Sequence, residues 1–564
     1  MRPFGAGRTA STRGHSPRPR TSGTPPTASP TRRLRRRDVS RPPGPSDFGV
    51  DRFTVADVLD RRAMQHPDRV MLSVAGIDVT FEDVRRRSCA AASMLTGLGV
   101  GRGDTVALFT ATCPEWIYFW LGAARIGAVS AAVNAANKGD FLLHTLRLSR
   151  ATMILTDPER QHRIEDIADR LDTLKEVVVL GDSLSSALSR DAGGTPDRSL
   201  GAAEVASLFF TSGTTGPSKA VATSWHYLFT VAATVASAWR FGPGEVLWTA
   251  MPLFHLSAAP IVLAPMLVGG TTVLANEFHP SEVWDDVRAH GAVGFVGAGA
   301  MVSMLQNLPP DPRDAELPLR FISAAPISAN AYREIERRYG CRVVTMYGLT
   351  EAFPLTVKGV ADDGVPGTSG NPNPNFEVRI VDDTGNPLPA GMVGEITCRP
   401  RYPHVMSEGY VSQEAPGLPV DPHQDWFHTG DLGKFDNEQN LTHVDRIKDS
   451  LRRRGENISS VEVETVVTGH PAVLEAAAVG IPSDVGEDDI LLLVAIRPGA
   501  VIDCAELLDY CAARMPYFCV PRFVETVDEL PKNGIGRIRK DLLRARGLTP
   551  AAWDRERHGY QVSR

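Results

Sequence analysis

The sequence lacks the features of extracellular, membrane-spanning and zinc-binding proteins. Its seven cysteines are scattered and odd in number, and none belongs to a CxxC pair or to a Cys/His spacing suited to zinc. The N-terminus lacks the apolar centre of about 7–15 residues that a secretory signal needs. Residues 257–275 are uncharged, but prolines and a glycine pair interrupt them, which argues against a membrane span. We therefore expect a cytoplasmic protein with reduced core cysteines and no membrane span.

The body of the chain also lacks an excess of positive charge. Residues 1–50 hold eleven Arg against two Asp, a charge of +9, which leaves −15 for the rest of a chain whose net charge is −6. An acidic body excludes a strongly basic nucleic-acid-binding face, so we expect no nucleic-acid partner. The first fifty residues also contain nine Pro and few large apolar side chains. Because such a segment cannot bury enough surface to offset its ordering entropy, we expect a disordered, basic, Pro/Arg-rich tail, and a wrongly chosen upstream start codon explains it equally well.

The length of 564 residues exceeds what one hydrophobic core usually organises. From residue 53 to about residue 440, strand-like and helix-like patterns alternate at α/β spacing, and residues 184–201 are typical of a linker or surface loop. A last segment of roughly 100 residues has its own helix and strand pattern, which is long enough for a small domain. We therefore predict an α/β fold with a tail at 1–50, a large multi-sheet N-terminal domain at 51–445 and a small α+β C-terminal domain at 446–564.

One loop carries a strong chemical signal. The apolar run at 205–210 predicts a strand, and the string TSGTTGPSK follows directly at 211–219. Gly213 and Gly216 permit backbone shapes in which several N–H groups converge, the hydroxyl groups add donors, and Lys219 supplies a point charge. The Walker A pattern, GxGxxG and the GxSxG elbow are absent from the sequence. The loop suits a polyphosphate, and no motif indicates a covalent protein nucleophile.

Six further segments follow in chain order: MPLFH at 251–255, SAAP at 323–326, YGLTE at 347–351, WFHTGDL at 426–432, DRIKD at 445–449 and RRGENIS at 453–459. Together with the loop at 211–219, they resemble the signature segments of the acyl-CoA synthetase, luciferase and peptide-synthetase adenylation superfamily. The resemblance extends over residues 53–548 and is greatest to the crotonobetaine/carnitine CoA ligase branch. It implies that 51–445 is an adenylating domain and that the small C-terminal domain is mobile against it.

The resemblance implies a role for each matched residue. Tyr347 would stack on adenine, and Asp431 would accept both ribose hydroxyls, which one carboxylate can do. Glu351 would hold Mg²⁺ that arrives with ATP. Lys448 would be the hinge between the domains, and Gly455 would line a thiol tunnel. The expected catalytic residues are Lys219, His255, which would move between half-reactions, Thr350, which would touch the α-phosphate, Glu351 and Arg537. The expected nucleotide-binding residues are Thr211, Ser212, Gly213, Thr214, Thr215, Gly216, Ala324, Ala325, Pro326, Tyr347, Gly348, Asp431 and Arg446.

One position departs from the superfamily pattern. The family has a Lys after Gly near the chain end, which bridges the carboxylate and the α-phosphate, whereas the string LPKNGIGR at 530–537 places Arg537 there. Arg keeps the charge but is longer and forked, so the exchange is not conservative at a tightly built site. We expect either slower adenylation or bidentate binding of the same oxygens by Arg537.

The resemblance implies an enzyme that converts a carboxylic acid into acyl-AMP and then transfers the acyl group to a thiol, with ATP, Mg²⁺ and CoA as the expected small molecules. Two alternatives belong to natural-product pathways such as antibiotic biosynthesis: loading of an aryl acid onto a carrier protein, and diazotase chemistry that couples nitrite to an aromatic amine. A nucleotide-binding module without turnover is an alternative of another class. The acid and the oligomeric state do not follow from the sequence.

Overall fold

The computed structural model describes residues 41–190, 201–211, 218–306, 308–325, 327–382, 384–411, 419–420, 426–446, 450–453, 456–483, 487–531, 538 and 540–562. For residues 300, 419–420, 445–446, 450, 452, 456–457, 459, 461 and 541 it describes the backbone alone. The described part belongs to one compact unit.

The helices in these residues are α1 Arg61–Gln65, α2 Phe81–Gly97, α3 Pro114–Ile126, α4 Gly139–Ser149, α5 Gln161–Glu165, α6 Asp182–Leu188, α7 Trp225–Trp239, α8 Ala259–Val268, α9 Val283–His290, α10 Gly299–Gln306, α11 Ala329–Tyr339, α12 Ser460–Thr468, α13 Cys504–Ala512 and α14 Lys540–Arg546. A π-helical turn at Ala56–Asp60 precedes α1, and short 3-10 helices lie at Pro45–Phe48, Ala168–Arg170, Leu256–Ala258, Pro312–Glu316 and Tyr517–Cys519.

The strands are β1 Val70–Val74, β2 Ile77–Thr80, β3 Thr105–Phe109, β4 Val129–Ala132, β5 Ala151–Thr156, β6 Glu176–Val179, β7 Val205–Thr211, β8 Lys219–Ser224, β9 Val246–Thr249, β10 Thr271–Leu274, β11 Gly294–Ala298, β12 Phe321–Ala325, β13 Arg342–Val344 and β14 Met346–Leu349. They continue with β15 Ala352–Val357, β16 Asn371–Pro372, β17 Phe376–Val381, β18 Gly394–Pro400, β19 Gly409–Val411, β20 Pro419–Val420, β21 Phe427–Phe435, β22 Leu441–Arg446, β23 Ser450–Arg453, β24 Glu456–Ser459, β25 Val473–Pro482, β26 Asp488–Ile496, β27 Phe523–Val527 and β28 Trp553–Asp554.

Two large sheets form the main body of the N-terminal domain. In the described residues one sheet has the order β20-β19-β8-β7-β4-β3-β5-β6, and the other has the order β13-β12-β11-β9-β10-β1-β2. Strands β6, β5, β3, β4 and β7 run parallel, and β8 returns antiparallel to β7. Helices α2, α3, α7 and α8 share one buried core with strands of both sheets. The arrangement leaves the carboxyl ends of the parallel strands at common edges, where α/β folds bind ligands.

Local sequence signals explain where the helices that pack on these sheets begin and end. Thr80 caps α2, since its hydroxyl accepts from the amide of Asp83 at 3.1 Å. Ser224 caps α7 in the same way and accepts from the amide of Tyr227 at 3.2 Å. Helix α3 ends where Gly127 adopts a φ of 73°, a conformation that favours glycine. Ser224 is the last residue of β8 and pairs with Val205, so α7 begins at the end of the β7–β8 pair that lies away from the predicted phosphate loop.

A buried polar contact ties α3 to the strand that leads into this loop. Trp120 is 1% exposed, and its Nε1 donates to Ser207 Oγ of β7 at 2.9 Å. The Ser207 hydroxyl also lies 2.8 Å from Ser130 Oγ of β4. Buried tryptophans usually need such a partner for their N–H group. The three side chains therefore fix β7 laterally before it ends at Thr211.

Smaller sheets complete the molecule. The three-stranded sheet β14-β15-β16 and the four-stranded sheet β17-β18-β21-β22 belong to the N-terminal domain. The smaller C-terminal domain contains the β23-β24 hairpin and the sheet β25-β26-β27-β28. It has its own core, formed in part by Val463, Val467, Leu492 and Leu507. A core of its own is what allows a small segment to fold as a separate domain.

The structure confirms the predicted α/β fold with a large N-terminal and a smaller C-terminal domain, whereas the domain boundaries remain predictions. The linker predicted at 184–201 is wrong over its first part, because α6 buries Leu184 and Leu188, an apolar pair at helical spacing. Residues 41–50 of the predicted tail include the helix Pro45–Phe48 and the buried Val50. The seven cysteines are free thiols. No helix among the described residues is both long and apolar enough to cross a bilayer.

Candidate active site

The predicted phosphate loop connects two neighbouring antiparallel strands. Thr211, the last residue of β7, is in register with Lys219, the first residue of β8. The sequence prediction for Ser212, Gly213, Thr214, Thr215 and Gly216 lies outside the described residues. The strand register therefore brings the two ends of the loop together and sets Thr211 beside Lys219 at the sheet edge.

Lys219 and Glu351 contact the same aromatic side chain. The exposed Nζ of Lys219 lies 4.8 Å from the centroid of the Tyr410 ring, within the range of a cation–π contact. The Tyr410 hydroxyl donates to Glu351 Oε1 at 2.6 Å, and Glu351 is 7% exposed. Burial, followed by the nearby Glu351 charge, raises the pKa of Tyr410, so the phenol stays a donor. The structure thus brings two of the predicted catalytic residues together through a residue to which the sequence assigned no role.

Thr350 and Glu351 form a short turn between β14 and β15, since Leu349 pairs with Ala352. The turn is held from two sides. The buried Tyr227 hydroxyl donates to the Thr350 carbonyl at 3.2 Å, and the Ser407 amide donates to the Glu351 carbonyl at 2.8 Å. Both partners come from distant parts of the chain. The half-exposed Thr350 side chain and the buried Glu351 carboxylate are therefore presented by a fixed backbone.

Tyr347 and Asp431 are in direct contact. The Tyr347 hydroxyl donates to Asp431 Oδ2 at 2.8 Å, and the two residues are 9% and 5% exposed. Burial, and then the charge of Asp431, raises the pKa of Tyr347 well above its usual value. The His443 ring lies 5.6 Å from the Tyr347 ring. A Cβ at the adjacent Gly348 would lie 2.7 Å from the Ala352 carbonyl oxygen, so this turn excludes a side chain there.

The alanines predicted to lie against the adenine end a parallel strand. Ala324 and Ala325 of β12 are in register with Gly297 and Ala298 of β11. Four small residues at adjacent strand ends permit a flat ring to approach the backbone closely. Pro326, the last residue of this predicted segment, lies outside the described residues.

His255 lies between β9 and α8, immediately before the 3-10 helix Leu256–Ala258. It is half-buried, its ring centroid is 4.7 Å from that of Phe254, and its amide donates to the Pro252 carbonyl at 3.2 Å. These contacts are local to the segment. The predicted movement of His255 between half-reactions stays a prediction.

The C-terminal domain contacts the phosphate loop at Ser218. The Ser218 hydroxyl donates to Glu462 Oε1 of α12 at 2.6 Å, and the Ser218 amide donates to the same oxygen. His144 of α4 donates from Nε2 to the Ser218 carbonyl at 2.9 Å. Burial raises the pKa of Glu462, although its hydrogen bonds to Ser218 act in the opposite direction. The last residue of the loop is therefore held by both domains.

The remaining predicted residues are described only in part. Arg446 is in register with Asp431 across β21 and β22, so the backbone sets these two positions side by side. The hairpin of β23 and β24 flanks the predicted tunnel residue Gly455. The predictions for Gly455, Lys448 and Arg537 themselves lie outside the described residues.

Two basic residues near these positions already hold ion pairs. Arg453, which precedes Gly455, is 3% exposed and lies 3.2 Å from Asp489 Oδ1, so it stabilises the small domain from inside. Lys540, three residues after Arg537, lies 2.6 Å from Glu464 Oε1 and donates to Ser460 Oγ at 2.8 Å. The contacts of Lys540 anchor the chain that follows Arg537 to the first turn of α12.

The donor set at this edge fits a magnesium ion that arrives with phosphates. Mg²⁺ prefers hard oxygen ligands and is usually bound through one or two carboxylates together with substrate phosphates and water. Glu351 supplies such a carboxylate beside Lys219. No group of three or more His, Cys, Asp or Glu side chains in the described part of the chain forms a self-sufficient metal site. A metal at this edge would therefore be held by Glu351 and by the oxygens of a bound nucleotide.

A lysine and a buried carboxylate that contact one tyrosine, together with a buried Tyr–Asp pair, are typical of an enzyme that works on a nucleotide. The model of the AMP-binding enzyme family matches residues 59–411, and that of the AMP-binding enzyme C-terminal domain matches residues 462–537. The chain belongs to the AMP-binding enzyme family, the adenylate-forming ligases that include the acyl-CoA synthetases. This confirms the resemblance inferred from the motifs.

Individual relatives agree with this assignment. The chain is 31% identical over 478 residues to the crotonobetaine/carnitine–CoA ligase of Salmonella paratyphi B, which covers 80% of this chain and 90% of the relative. It resembles the o-succinylbenzoate CoA synthetase of Bacillus subtilis, solved as a double mutant with a product analogue, at 25% identity and a TM-score of 0.75, covering 86% of this chain and 98% of the other. It resembles the amide bond synthetase McbA of Marinactinospora thermotolerans at 26% identity and a TM-score of 0.76, with coverages of 87% and 99%.

Proposed function

We propose that the protein activates a carboxylic acid with ATP as an acyl-AMP and then transfers the acyl group to the thiol of CoA. The observation that carries the proposal is the grouping of Lys219, Tyr410 and Glu351 at the end of the phosphate loop. A lysine and a buried carboxylate at one site can meet the phosphate oxygens and the cation of Mg·ATP respectively. The CoA ligases among the relatives support the choice of acceptor.

In the first step a carboxylate oxygen attacks the α-phosphorus, and the bond to the β-phosphate breaks, so that pyrophosphate leaves. In the second step the CoA sulfur attacks the acyl carbon, the bond to the AMP oxygen breaks, and the thiol loses its proton. Magnesium, when bound, supplies charge neutralisation at the phosphates. Lys219 stabilises the negative charge of the polyphosphate, Thr350 contacts the α-phosphate, and Tyr347 with Asp431 orients the adenosine. The chemistry needs positioning and charge rather than a protein nucleophile.

The second domain is proposed to change position between the steps. Lys448 serves as the hinge, Arg537 reaches the reacting oxygens during adenylation, and Gly455 lines the path of the thiol. His255 moves at the mouth of the acid pocket. The contact of Glu462 with Ser218 supports this scheme, because it links the small domain directly to the phosphate loop. Domain movement of this kind sets the order of steps in many enzymes.

Purified protein, Mg·ATP and a panel of acids test the proposal through the release of pyrophosphate and AMP. We expect pyrophosphate to appear with a preferred acid and the CoA thioester to appear when CoA is added. Absence of both products across a broad panel would refute the enzyme assignment and favour a nucleotide-binding module. AMP release that requires nitrite and an aromatic amine would refute the thiol acceptor and favour diazotase chemistry.

Arg537 provides a sharper test of the assigned roles. We expect Arg537→Ala to abolish acyl-AMP formation, while thiolysis of a supplied acyl-AMP by CoA stays within about twofold of wild type. Arg537→Lys retains the charge and tests whether the forked guanidinium is needed. Equal losses in both half-reactions for Arg537→Ala would show that the position does not act in adenylation.

A second acceptor class has a specific observation in its favour. The similarity to an amide bond synthetase, 26% identical over most of the chain, adds amines to the acceptors worth testing. Substituting an amine for CoA in the same assay, with detection of the amide, decides between them. Thioester formation without amide formation supports CoA.

A further inference from the structure

The Tyr410 side chain contacts both charged groups of the predicted phosphate site, Lys219 and Glu351. We propose that Tyr410 is a positioning residue that holds Lys219 and Glu351 ready for Mg·ATP. The inference rests on the proposed function and deepens it. Tyr410 belongs to none of the sequence motifs and lies 59 residues from Glu351 along the chain.

The backbone of Tyr410 is fixed with respect to the loop. Tyr410 lies in β19 and pairs with Val221 of β8, two residues after Lys219. Val411, its neighbour, pairs with Ala220 and is 3% exposed. Because the same strand carries Lys219 and receives β19, the separation between the ring and the start of β8 is set by sheet geometry rather than by a flexible loop.

The two ends of the side chain perform different tasks. The ring face contacts the Lys219 ammonium at 4.8 Å, which gives an exposed and otherwise flexible cation a preferred location. The hydroxyl donates to Glu351 at 2.6 Å, a charge-assisted hydrogen bond that orients a buried carboxylate. One tyrosine side chain thus contacts the ammonium group with its ring and the carboxylate with its hydroxyl. Both groups are held in place before Mg·ATP binds. Preorganisation of this kind lowers the cost of binding.

The two contacts can be removed one at a time. Tyr410→Phe deletes the hydrogen bond to Glu351 but keeps the ring under Lys219. Tyr410→Leu deletes both contacts while keeping an apolar side chain in the strand. Tyr402→Phe is the matched control, because Tyr402 lies eight residues upstream with 45% exposure. Thermal unfolding of each variant checks that the fold is intact.

The measurement is the affinity for ATP by calorimetry without acid or CoA, once with Mg²⁺ and once with a chelator. We expect Tyr410→Phe to weaken binding of Mg·ATP by about tenfold, the loss typical for one hydrogen bond to a charged group, and to leave binding of metal-free ATP within about twofold. We expect Tyr410→Leu to weaken both forms, because Lys219 then loses its ring contact. The control should match wild type.

Equal weakening of both ATP forms in Tyr410→Phe would overturn the proposal, because it would show a packing role without a specific link to Glu351. Wild-type affinity in Tyr410→Phe would also overturn it. If the unmodified protein bound neither form of ATP, the proposed function itself would fail, and this outcome is distinguishable because it involves no substitution.

Discussion

Glu462 of the small domain contacts the end of the predicted phosphate loop. Its carboxylate receives two hydrogen bonds from Ser218, the residue before Lys219. A triphosphate bound in the loop would place further negative charge near this carboxylate. We therefore predict that docking of the small domain through Glu462 and binding of ATP oppose each other, and that Glu462→Ala binds ATP more tightly than wild type.

The magnitude follows from the contacts that are lost. Hydrogen bonds to a charged group contribute about 1.5–3 kcal/mol. Because Glu462 is only half-buried, we take the lower end of this range for its two hydrogen bonds together. About 1.5 kcal/mol corresponds to roughly a tenfold change in the docking equilibrium. The apparent affinity for ATP is proportional to the fraction of molecules in which the small domain is undocked. ATP affinity in Glu462→Ala should therefore rise by up to about tenfold. Glu462→Gln keeps an acceptor oxygen without the desolvation cost of the charge, so it should bind ATP no more tightly than wild type.

The pH dependence has a definite sign. Burial raises the pKa of Glu462 above its ordinary value of 4.5 in the docked form. A carboxyl group whose pKa is higher in the docked form stabilises docking when it is protonated. This stabilisation is complete at pH values below the ordinary pKa and is lost as the pH rises through the pKa of the docked form. Wild-type ATP affinity should therefore fall as pH is lowered from neutral, relative to Glu462→Gln, in which the group does not titrate.

Calorimetric titration of ATP into wild type, Glu462→Ala and Glu462→Gln at several pH values provides the assay. Glu506→Ala is the matched control, since Glu506 is an exposed glutamate in α13 of the same domain. Unchanged or weaker ATP binding in Glu462→Ala, with the fold intact, would refute the competition. A pH profile that is the same in Glu462→Gln as in wild type would refute the titration argument.

Two further predictions concern the support of the site. Gly348→Ala should weaken ATP binding at least tenfold, as measured by calorimetry. The added Cβ would lie 2.7 Å from the carbonyl oxygen of Ala352, so it would displace the turn that carries Thr350. Asp314→Ala should lower the free energy of unfolding by about 1.5–3 kcal/mol, because the buried Arg338 side chain loses the carboxylate that lies 2.7 Å from its Nε, although it retains its hydrogen bonds to the backbone carbonyls of residues 306, 308 and 309; urea titration measures the change.

Local sequence patterns were sufficient for much of the fold and for the ends of the phosphate loop. The apolar run at 205–210 predicted the strand before the loop, whereas the pairing of Thr211 with Lys219 and the turn at Thr350 and Glu351 come from the structure. The incorrect linker at 184–201 shows the limit of composition, because two leucines at helical spacing outweighed the polar residues around them.

The supports of the site could not be read from local patterns. Tyr227 reaches Thr350 across 123 residues, and Glu462 reaches Ser218 across 244. Neither contact follows from spacing, because it depends on how sheets and domains pack. A sequence signal exists only in retrospect: Tyr227 is a polar aromatic residue in the first turn of an otherwise apolar helix, so its hydroxyl needs a buried partner.

The phosphate loop is held at its end by groups that respond to different events. Lys219 contacts the Tyr410 ring within the N-terminal domain, and a bound phosphate would attract its ammonium away from that ring. Ser218, one residue earlier, is held by Glu462 of the small domain and by His144 of the N-terminal domain, so movement of the small domain would remove one of its two supports. Because the two residues are adjacent in the backbone, a ligand that displaces one changes the geometry available to the other. A single short segment can thus report both phosphate occupancy and domain position, which an enzyme with two successive half-reactions at one site requires.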